Sequence, residues 1–288
     1  MPEILATGSP RPALPPFMLA DRPGAPVMID VGATSLSVWS LGEGPPLLFL
    51  HGLGWDSGLW WPMVRRWAGR FRVICPDTRG HGASFAPPGP YSIKGFAVDM
   101  LRLLDALGIA RTAVVGLSQG GMTALTMATS WPERIGNLSA LATAARVDPT
   151  SAAALEERIL AGRTAGPEAA ARLAARGIFS DAFLAATPGY LEAFVAWRAA
   201  MPAAPLEAAT RAGLGYDVTA ALPGLSVPTL VVAGGADRLI PPQATRAIAE
   251  GIPGATYAEL AGAGHILSVE QPEALASLLD RQLAGWAG

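Results

Sequence analysis

Residues 112–121 read TAVVGLSQGG, an apolar run that ends in a Gly-x-Ser-x-Gly motif. The β-branched residues of the run favour a strand, and the small and apolar residues at 121–128 favour a helix. A serine between a strand and a helix, with glycines on both sides, lies at a sharp turn that exposes its hydroxyl group. The stretch therefore predicts a strand–turn–helix unit with Ser118 at the turn.

Short apolar strands alternate with helical segments on both sides of this unit. The predicted strands are 27–31, 36–41, 46–50, 71–75, 112–115, 138–141, 228–232 and 256–260. The predicted helices around them are 59–68, 94–107, 121–128, 243–251 and 271–286. The first two strands are expected to form an antiparallel pair. The alternation favours an α/β fold, a mostly parallel sheet of about eight strands with helices on both faces.

The pattern changes from residue 146 to residue 216. Alanine dominates this segment, helical periodicity is continuous, and no strand-like run interrupts it. We expect a helical cap at 146–216, inserted into a core that consists of residues 27–145 and 217–288. Residues 1–26 are rich in proline and are predicted to form an irregular arm.

The composition restricts the class of protein. The 288 residues are 51% hydrophobic and 15% charged, enough to bury a large core. The net charge is −2 and no stretch is rich in Lys or Arg, so we expect neither a nucleic-acid nor a membrane partner. Residues 1–26 lack the pattern of a signal peptide, and the lone cysteine, Cys75, excludes an internal disulfide. We therefore expect a cytoplasmic protein.

Three residues have the types and the order that serine-based acyl transfer needs. Ser118 supplies a nucleophile, which requires a base because a hydroxyl is a poor nucleophile at neutral pH. His265 lies in a glycine-rich loop after the last predicted strand and is the expected base. Asp237 follows the strand at 228–232 and is the expected orienter of the imidazole, with an ordinary turn aspartate as the alternative.

An oxyanion needs two hydrogen-bond donors, and the sequence offers two backbone N–H groups. Gln119 follows the nucleophile at the start of its helix, where the helix dipole also favours negative charge. Leu53 lies in the loop after the strand at 46–50, the usual source of the second donor. We therefore expect the oxyanion hole to be formed by the N–H groups of Leu53 and Gln119.

Two further histidines, His51 and His81, lie in glycine-containing loops. We expect their rings to hydrogen-bond nearby backbone and shape these loops. Zinc is the alternative, but the three histidines of the chain lie on separate loops without close ligand spacing. We therefore expect no metal and no other cofactor.

Aromatic residues are the expected walls of a substrate pocket, which favours a mainly apolar substrate. The candidate wall residues are Trp55, Trp60, Phe96, Trp131 and Trp197. Arg146 and Arg198 are interpreted as solvated helix residues, with contact to a substrate carboxylate as the alternative.

The strings around these residues resemble the α/β-hydrolase superfamily from about residue 27 onward. They are His51-Gly52-Leu53, DTRGHG at 77–82, GLSQGGM at 116–122 and Gly264-His265. Within the superfamily, residues 77–91 and 142–146 look like the 3-oxoadipate enol-lactonase branch. The chain departs from that branch at Gln119, where methionine is usual, and at His51-Gly52, where a polar pair is expected.

The resemblance implies the α/β-hydrolase fold and a serine hydrolase that cleaves a small carboxylic ester or lactone through an acyl-enzyme, without a cofactor. A cofactor-free perhydrolase, a C–C bond hydrolase and an acyltransferase are alternatives on the same three residues. A non-catalytic ligand receptor is another. A dinucleotide site at 52–58 is disfavoured because bulky Trp55 lies where backbone would approach a pyrophosphate.

Overall fold

Residues 25–288 are described by the computed structural model, and their strands form one eight-stranded sheet. The strands are β1 Val27–Asp30, β2 Ser35–Leu41, β3 Pro46–Leu50, β4 Arg72–Pro76, β5 Thr112–Leu117, β6 Ile135–Leu141, β7 Thr229–Gly234 and β8 Thr256–Leu260. Their order across the sheet is β1-β2-β4-β3-β5-β6-β7-β8. The β1–β2 and β2–β4 pairs are antiparallel, and the other pairs are parallel. The predicted arm at 1–26 lies outside the described residues, apart from its last two.

Helices connect the parallel strands. They are α1 Trp61–Val64, α2 Ile93–Ala106, α3 Gln119–Ser130, α4 Pro149–Thr164, α5 Pro167–Ile178, α6 Asp181–Ala186, α7 Tyr190–Ala199, α8 Ala203–Arg211, α9 Pro242–Gly251, α10 Leu267–Glu270 and α11 Pro272–Leu283. The predicted fold class is confirmed, with β4 through β8 linked by helices. None of the helices within residues 25–288 has the length and apolarity needed to cross a bilayer.

The sheet is apolar on both faces because side chains alternate along each strand. In β3, Leu47 and Phe49 belong to one core cluster, whereas Leu48 and Leu50 belong to the other. Helices α2, α3 and α9 pack on the face of Leu48, and α1 and α11 pack on the face of Leu47. Burial on both faces leaves the carboxyl edge of the strands as the place where polar residues collect.

Helices α4 to α8 form a helical insert between β6 and β7. Its α5 and α7 bury Ala174 and Phe194 in the same cluster as Leu47. Its α8 buries Ala209 beside Phe96 and Met122 in a smaller cluster. The insert begins after the carboxyl end of β6, so it lies on the side of the sheet where the loops carrying Ser118, Asp237 and His265 emerge.

The predicted helix at 59–68 is wrong in length and in type. Ser57–Trp60 is a 3₁₀ helix and α1 has four residues. Beyond α1, the backbone N–H of Trp67 donates to the carbonyl of Val64, three residues earlier. A three-residue repeat places Trp61, Val64 and Trp67 on one side, and all three are buried.

Candidate active site

Ser118 lies at the turn between β5 and α3, as the motif predicts. Its φ of 57° and ψ of −120° are in a region that side-chain-bearing residues rarely adopt. The strained backbone is held on both sides, because the Ser118 N–H donates to the carbonyl of Leu141 at 2.9 Å and the Ser118 carbonyl accepts from Thr143 Oγ1 at 2.8 Å. The turn therefore has one fixed geometry.

Close approach of backbone explains the glycines around the turn. A Cβ atom on Gly116 would overlap the carbonyl oxygen of Gly120, and a Cβ atom on Gly120 would overlap that of Leu50. Since these neighbours are backbone atoms, they cannot move aside without a shift of the strand or the helix. The Gly-x-Ser-x-Gly motif is therefore a packing requirement of this turn.

Asp237 and His265 are joined by a short hydrogen bond beneath the insert. His265 Nδ1 lies 2.7 Å from Asp237 Oδ2, and both residues are buried. The other carboxylate oxygen accepts from the backbone N–H groups of Leu239 at 2.8 Å and Ile240 at 2.9 Å. A carboxylate only accepts hydrogen bonds, so Nδ1 carries a proton, and in the neutral ring Nε2 presents the lone pair. The backbone N–H of His265 donates to the carbonyl of Ile178 in the insert.

The structure brings Ser118 and His265 to the wall of one cavity of about 330 Å³. Leu53 and Gln119, the two expected oxyanion donors, line the same cavity. The imidazole is thus a candidate base whose orientation is set by Asp237, in a cavity that Ser118 also lines. This arrangement has the parts that nucleophilic catalysis requires.

The two candidate oxyanion donors are held by different means. Gln119 is the first residue of α3, so its backbone N–H has no intrahelical acceptor, and its side-chain Nε2 donates to Ala209 of the insert at 2.8 Å. Next to Leu53, the N–H of Gly54 donates to His81 Nε2 at 3.0 Å. The carbonyl of Leu53 accepts from Arg198 Nη1 at 3.0 Å. The peptide that follows Leu53 is therefore held at both ends.

His51 and His81 shape these loops, as predicted. His51 Nδ1 donates to the carbonyl of Gly52 at 2.8 Å, and His51 Nε2 accepts from the N–H of Thr78 at 3.0 Å. Because a ring nitrogen that accepts an N–H bond is unprotonated, both rings are neutral. Burial lowers the pKa of His51, against the nearby charge of Asp77, and lowers that of His81 well below 6.5. Among residues 25–288, no three His, Cys, Asp or Glu side chains are grouped to hold a metal.

The aromatic wall prediction names Trp55, which lines the cavity. It is wrong for Trp197 and Trp60, which lie behind the wall. The Trp197 ring packs against Trp55 with centroids 5.3 Å apart, and the Trp60 ring packs against Phe49 at 5.0 Å. Both are buried, because large aromatic side chains contribute most stabilisation when they fill the core completely.

The prediction is also wrong for Phe96 and Trp131, which do not line the cavity. Phe96 is buried in α2 against Tyr91, with ring centroids 6.0 Å apart. Trp131 lies at the C-terminal end of α3, a full helix away from Ser118. It packs on the core cluster that contains Leu48. Helical periodicity predicts which side of a helix is buried. It does not predict whether that side packs on the core or lines the cavity.

Aliphatic side chains from the core and the insert form most of the observed wall. The sequence-based prediction named only aromatic residues and did not include them. Met122 lies one helical turn after Ser118, and this spacing places both residues on one side of α3. The spacing is visible in the sequence and could have identified Met122. The wall includes Leu117, Met122, Val147, Leu155, Leu239 and Ile240.

The interpretation of Arg198 as a solvated helix residue is wrong. The residue is only 5% exposed and lines the cavity. Arg146, interpreted in the same way, is exposed, although it too borders the cavity. Burial of Arg198 depends on its bonds to the Leu53 loop, a contact between residues far apart in the chain.

Comparisons with known proteins identify the family. The model of the α/β-hydrolase fold family matches residues 45–272. The chain therefore belongs to the α/β-hydrolase family, as the sequence motifs indicate. It is 32% identical over 242 residues to 3-oxoadipate enol-lactonase 2 of Acinetobacter baylyi, a match that covers 84% of this chain and 90% of that protein.

Solved structures agree with this assignment. The enol-lactonase from Burkholderia xenovorans superposes with a TM-score of 0.84 at 32% identity, covering 90% of this chain and 100% of that one. A thermophilic esterase from Thermogutta terrifontis also superposes with a TM-score of 0.84, at 29% identity, covering 92% of this chain and 100% of that one.

Proposed function

We propose that the protein is a serine hydrolase that cleaves a small carboxylic ester or lactone through an acyl-enzyme. The observation that carries the proposal is the 2.7 Å bond between Asp237 and His265, a residue that lines the same cavity as Ser118. A histidine oriented in this way can act as a base towards a serine hydroxyl in the same cavity. The names of the relatives, an enol-lactonase and an esterase, support this class of substrate.

In the first step, His265 removes the proton of the Ser118 hydroxyl, and the serine oxygen attacks the carbonyl carbon of the substrate. The tetrahedral oxyanion is stabilised by the backbone N–H groups of Leu53 and Gln119. Asp237 stabilises the imidazolium that forms. The imidazolium then gives its proton to the leaving oxygen, and the acyl-enzyme remains on Ser118.

In the second step, His265 activates a water molecule that attacks the acyl-enzyme, and the acid product leaves. A lactone adds one constraint, because its leaving hydroxyl stays attached to the acyl group. Water must then attack before that hydroxyl closes the ring again. A base held in one orientation by three hydrogen bonds on Asp237 favours rapid deacylation.

The test compares p-nitrophenyl ester and lactone hydrolysis by the wild-type protein and by Ser118→Ala. We expect Ser118→Ala to lower kcat by about 10⁴-fold or more, since the nucleophile is lost. A fluorophosphonate probe is expected to add to Ser118 of the wild-type protein and to be absent from Ser118→Ala, as measured by peptide mass spectrometry.

The matched control is Ser277→Ala, because Ser277 is an exposed serine on α11 whose hydroxyl donates to the carbonyl of Glu273 in the same helix. Its activity and probe labelling should equal those of the wild-type protein. Hydrolysis by Ser118→Ala at the wild-type rate would refute the proposal.

A further inference from the structure

Arg198 places a buried positive charge at the wall of the catalytic cavity. Its Nη1 group donates to the carbonyls of Leu53 at 3.0 Å and Gly54 at 3.1 Å. A guanidinium has three more N–H groups, on Nε and Nη2, for which no acceptor occurs among residues 25–288. Burial lowers the pKa of Arg198 to about 9. Carbonyl oxygens carry no net charge, so the part of the chain that the structure describes supplies no counter-ion for this cation.

A second guanidinium, that of Arg158 in α4, lines the same cavity. Its charge acts on Arg198 and lowers the pKa of that residue further. Burial also lowers the pKa of Arg158, by more than the exposed Glu157 beside it raises it. Two like charges at one partly buried wall repel each other, and an anion between them would relieve the repulsion.

The carboxylates that border the cavity have other partners. Asp148 accepts from the N–H of Ser151 at 2.8 Å and caps α4. Glu207, which borders the neighbouring cavity, binds Arg163 at 2.6 Å and Arg211 at 2.9 Å. Within residues 25–288, no carboxylate forms an ion pair with either Arg158 or Arg198. The missing negative charge is therefore left for a ligand.

The two arginines stand between two cavities. The catalytic cavity of about 330 Å³ holds Ser118, and a second cavity of about 220 Å³ lies among α4, α5, α7 and α8. Arg158, Arg198 and Thr210 line both cavities. The insert side of the cavity that contains Ser118 is thus bordered by these two arginines.

We propose that Arg158 and Arg198 form a subsite for a carboxylate of the substrate, so that the preferred substrates are esters or lactones that carry a free carboxylate away from the scissile bond. The inference rests on the proposed hydrolase function. A carboxylate fits because guanidinium N–H groups bind its two oxygens in parallel. The remaining wall is mainly aliphatic, which suits a substrate with one charged end and an apolar body.

The subsite is connected to the oxyanion hole. Arg198 holds the carbonyl of Leu53, whose N–H is a candidate oxyanion donor. An anion bound to Arg198 therefore orders the guanidinium and, through it, the peptide next to this donor. We expect the charged end of a substrate to raise kcat as well as to lower KM.

The experiment compares two esters that differ only at the end of the acyl chain. These are p-nitrophenyl hydrogen glutarate, which ends in a carboxylate, and p-nitrophenyl pentanoate, which ends in a methyl group. A series from succinate to adipate locates the distance between Ser118 and the subsite. The wild-type kcat/KM is expected to be about tenfold or more higher for the charged ester of the best length, the size of a hydrogen bond to a charged group.

Arg158→Gln is expected to lower this charged-to-neutral ratio of kcat/KM about tenfold. Arg158→Lys, which keeps the positive charge, should recover part of the ratio. The matched control is Arg172→Gln, because Arg172 lies on the exposed face of the insert and is paired with Glu168 and Glu192. It should retain the wild-type ratio.

Equal kcat/KM for charged and neutral esters across the series would overturn the subsite and leave the hydrolase proposal intact. An equal ratio in Arg158→Gln and Arg172→Gln would do the same. If neither ester acylates Ser118, the hydrolase proposal fails instead. Calorimetric titration with pentanoate and pentanamide then decides the subsite: tighter binding of pentanoate that is lost in Arg158→Gln supports it, and equal binding refutes it.

Discussion

The carboxyl edge of the sheet and the helical insert face the same cavity but are built differently. At the sheet edge, each buried carboxylate has several fixed partners: Asp237 accepts three hydrogen bonds, and Asp77 accepts from the N–H groups of Ser57 and Ala83 at 2.8 Å. In the insert, the 16-residue α4 fully buries only Ile159. Glu192 of α7 and Glu207 of α8 form solvent-exposed ion pairs, which contribute little to stability.

On the proposed function, the two regions have separate tasks. Groups that transfer protons need one geometry, which buried hydrogen bonds enforce. A wall that selects a substrate needs shape and charge, which lightly packed helices provide. The insert is nevertheless tied to the loops of the sheet edge, through the bonds of Arg198 to Leu53, of Gln119 to Ala209 and of His265 to Ile178.

The largest expected effect lies at the sheet edge. Asp237→Asn should fold normally, because its amide oxygen can still accept from Leu239 and Ile240. The amide N–H₂ would face Nδ1 of His265 and favour the wrong tautomer, so kcat should fall by about 10³- to 10⁴-fold. Thermal unfolding tests whether the variant folds normally, and ester hydrolysis measures the loss of kcat. Turnover near that of the wild-type protein would mean that another acid orients the imidazole.

One substitution made in both regions gives the next largest effect. Gly120→Ala should destabilise the protein by about 3 kcal/mol, because its Cβ would overlap the carbonyl oxygen of Leu50. Gly162→Ala, inside α4 of the insert, places its Cβ 3.5 Å from that of Ala170, an ordinary contact. It should stabilise the protein by about 0.5–1 kcal/mol. Urea unfolding of both variants measures the two changes in stability. Changes of the same sign and size would contradict the contrast between the sheet edge and the insert.

The smallest expected effect concerns acid. The pKa values of His51 and His81 are lowered by burial, so the unfolded chain binds more protons than the folded one below about pH 6.5. The contribution of these two histidines to the free energy of unfolding is therefore fully present above about pH 6.5, and it is lost as the pH falls below that value. The insert contains no histidine. Urea unfolding midpoints are measured at pH 8, 6.5 and 5.5. The three midpoints should differ less in His81→Gln than in the wild-type protein. The same dependence on pH in both proteins would contradict this account.

Much of the fold and the catalytic candidates could be predicted from local sequence. The strand and the turn at Ser118 depend on residues within ten positions, and so do the loops of Asp237 and His265. Wall residues could not be predicted in this way. Trp60 and Trp197 have the same apolar character as Trp55, but tertiary packing places Trp60 against Phe49 and Trp197 behind Trp55.

The succession of strands and helices along the chain and the candidate residues Ser118, Asp237 and His265 follow from local sequence, because turn chemistry and side-chain periodicity are local properties of the chain. Tertiary structure decided the surroundings of those residues. Arg198 reads as a solvated helix residue, yet it is buried by contact with Leu53, 145 positions away. Burial depends on which distant surfaces meet, and no local pattern encodes that.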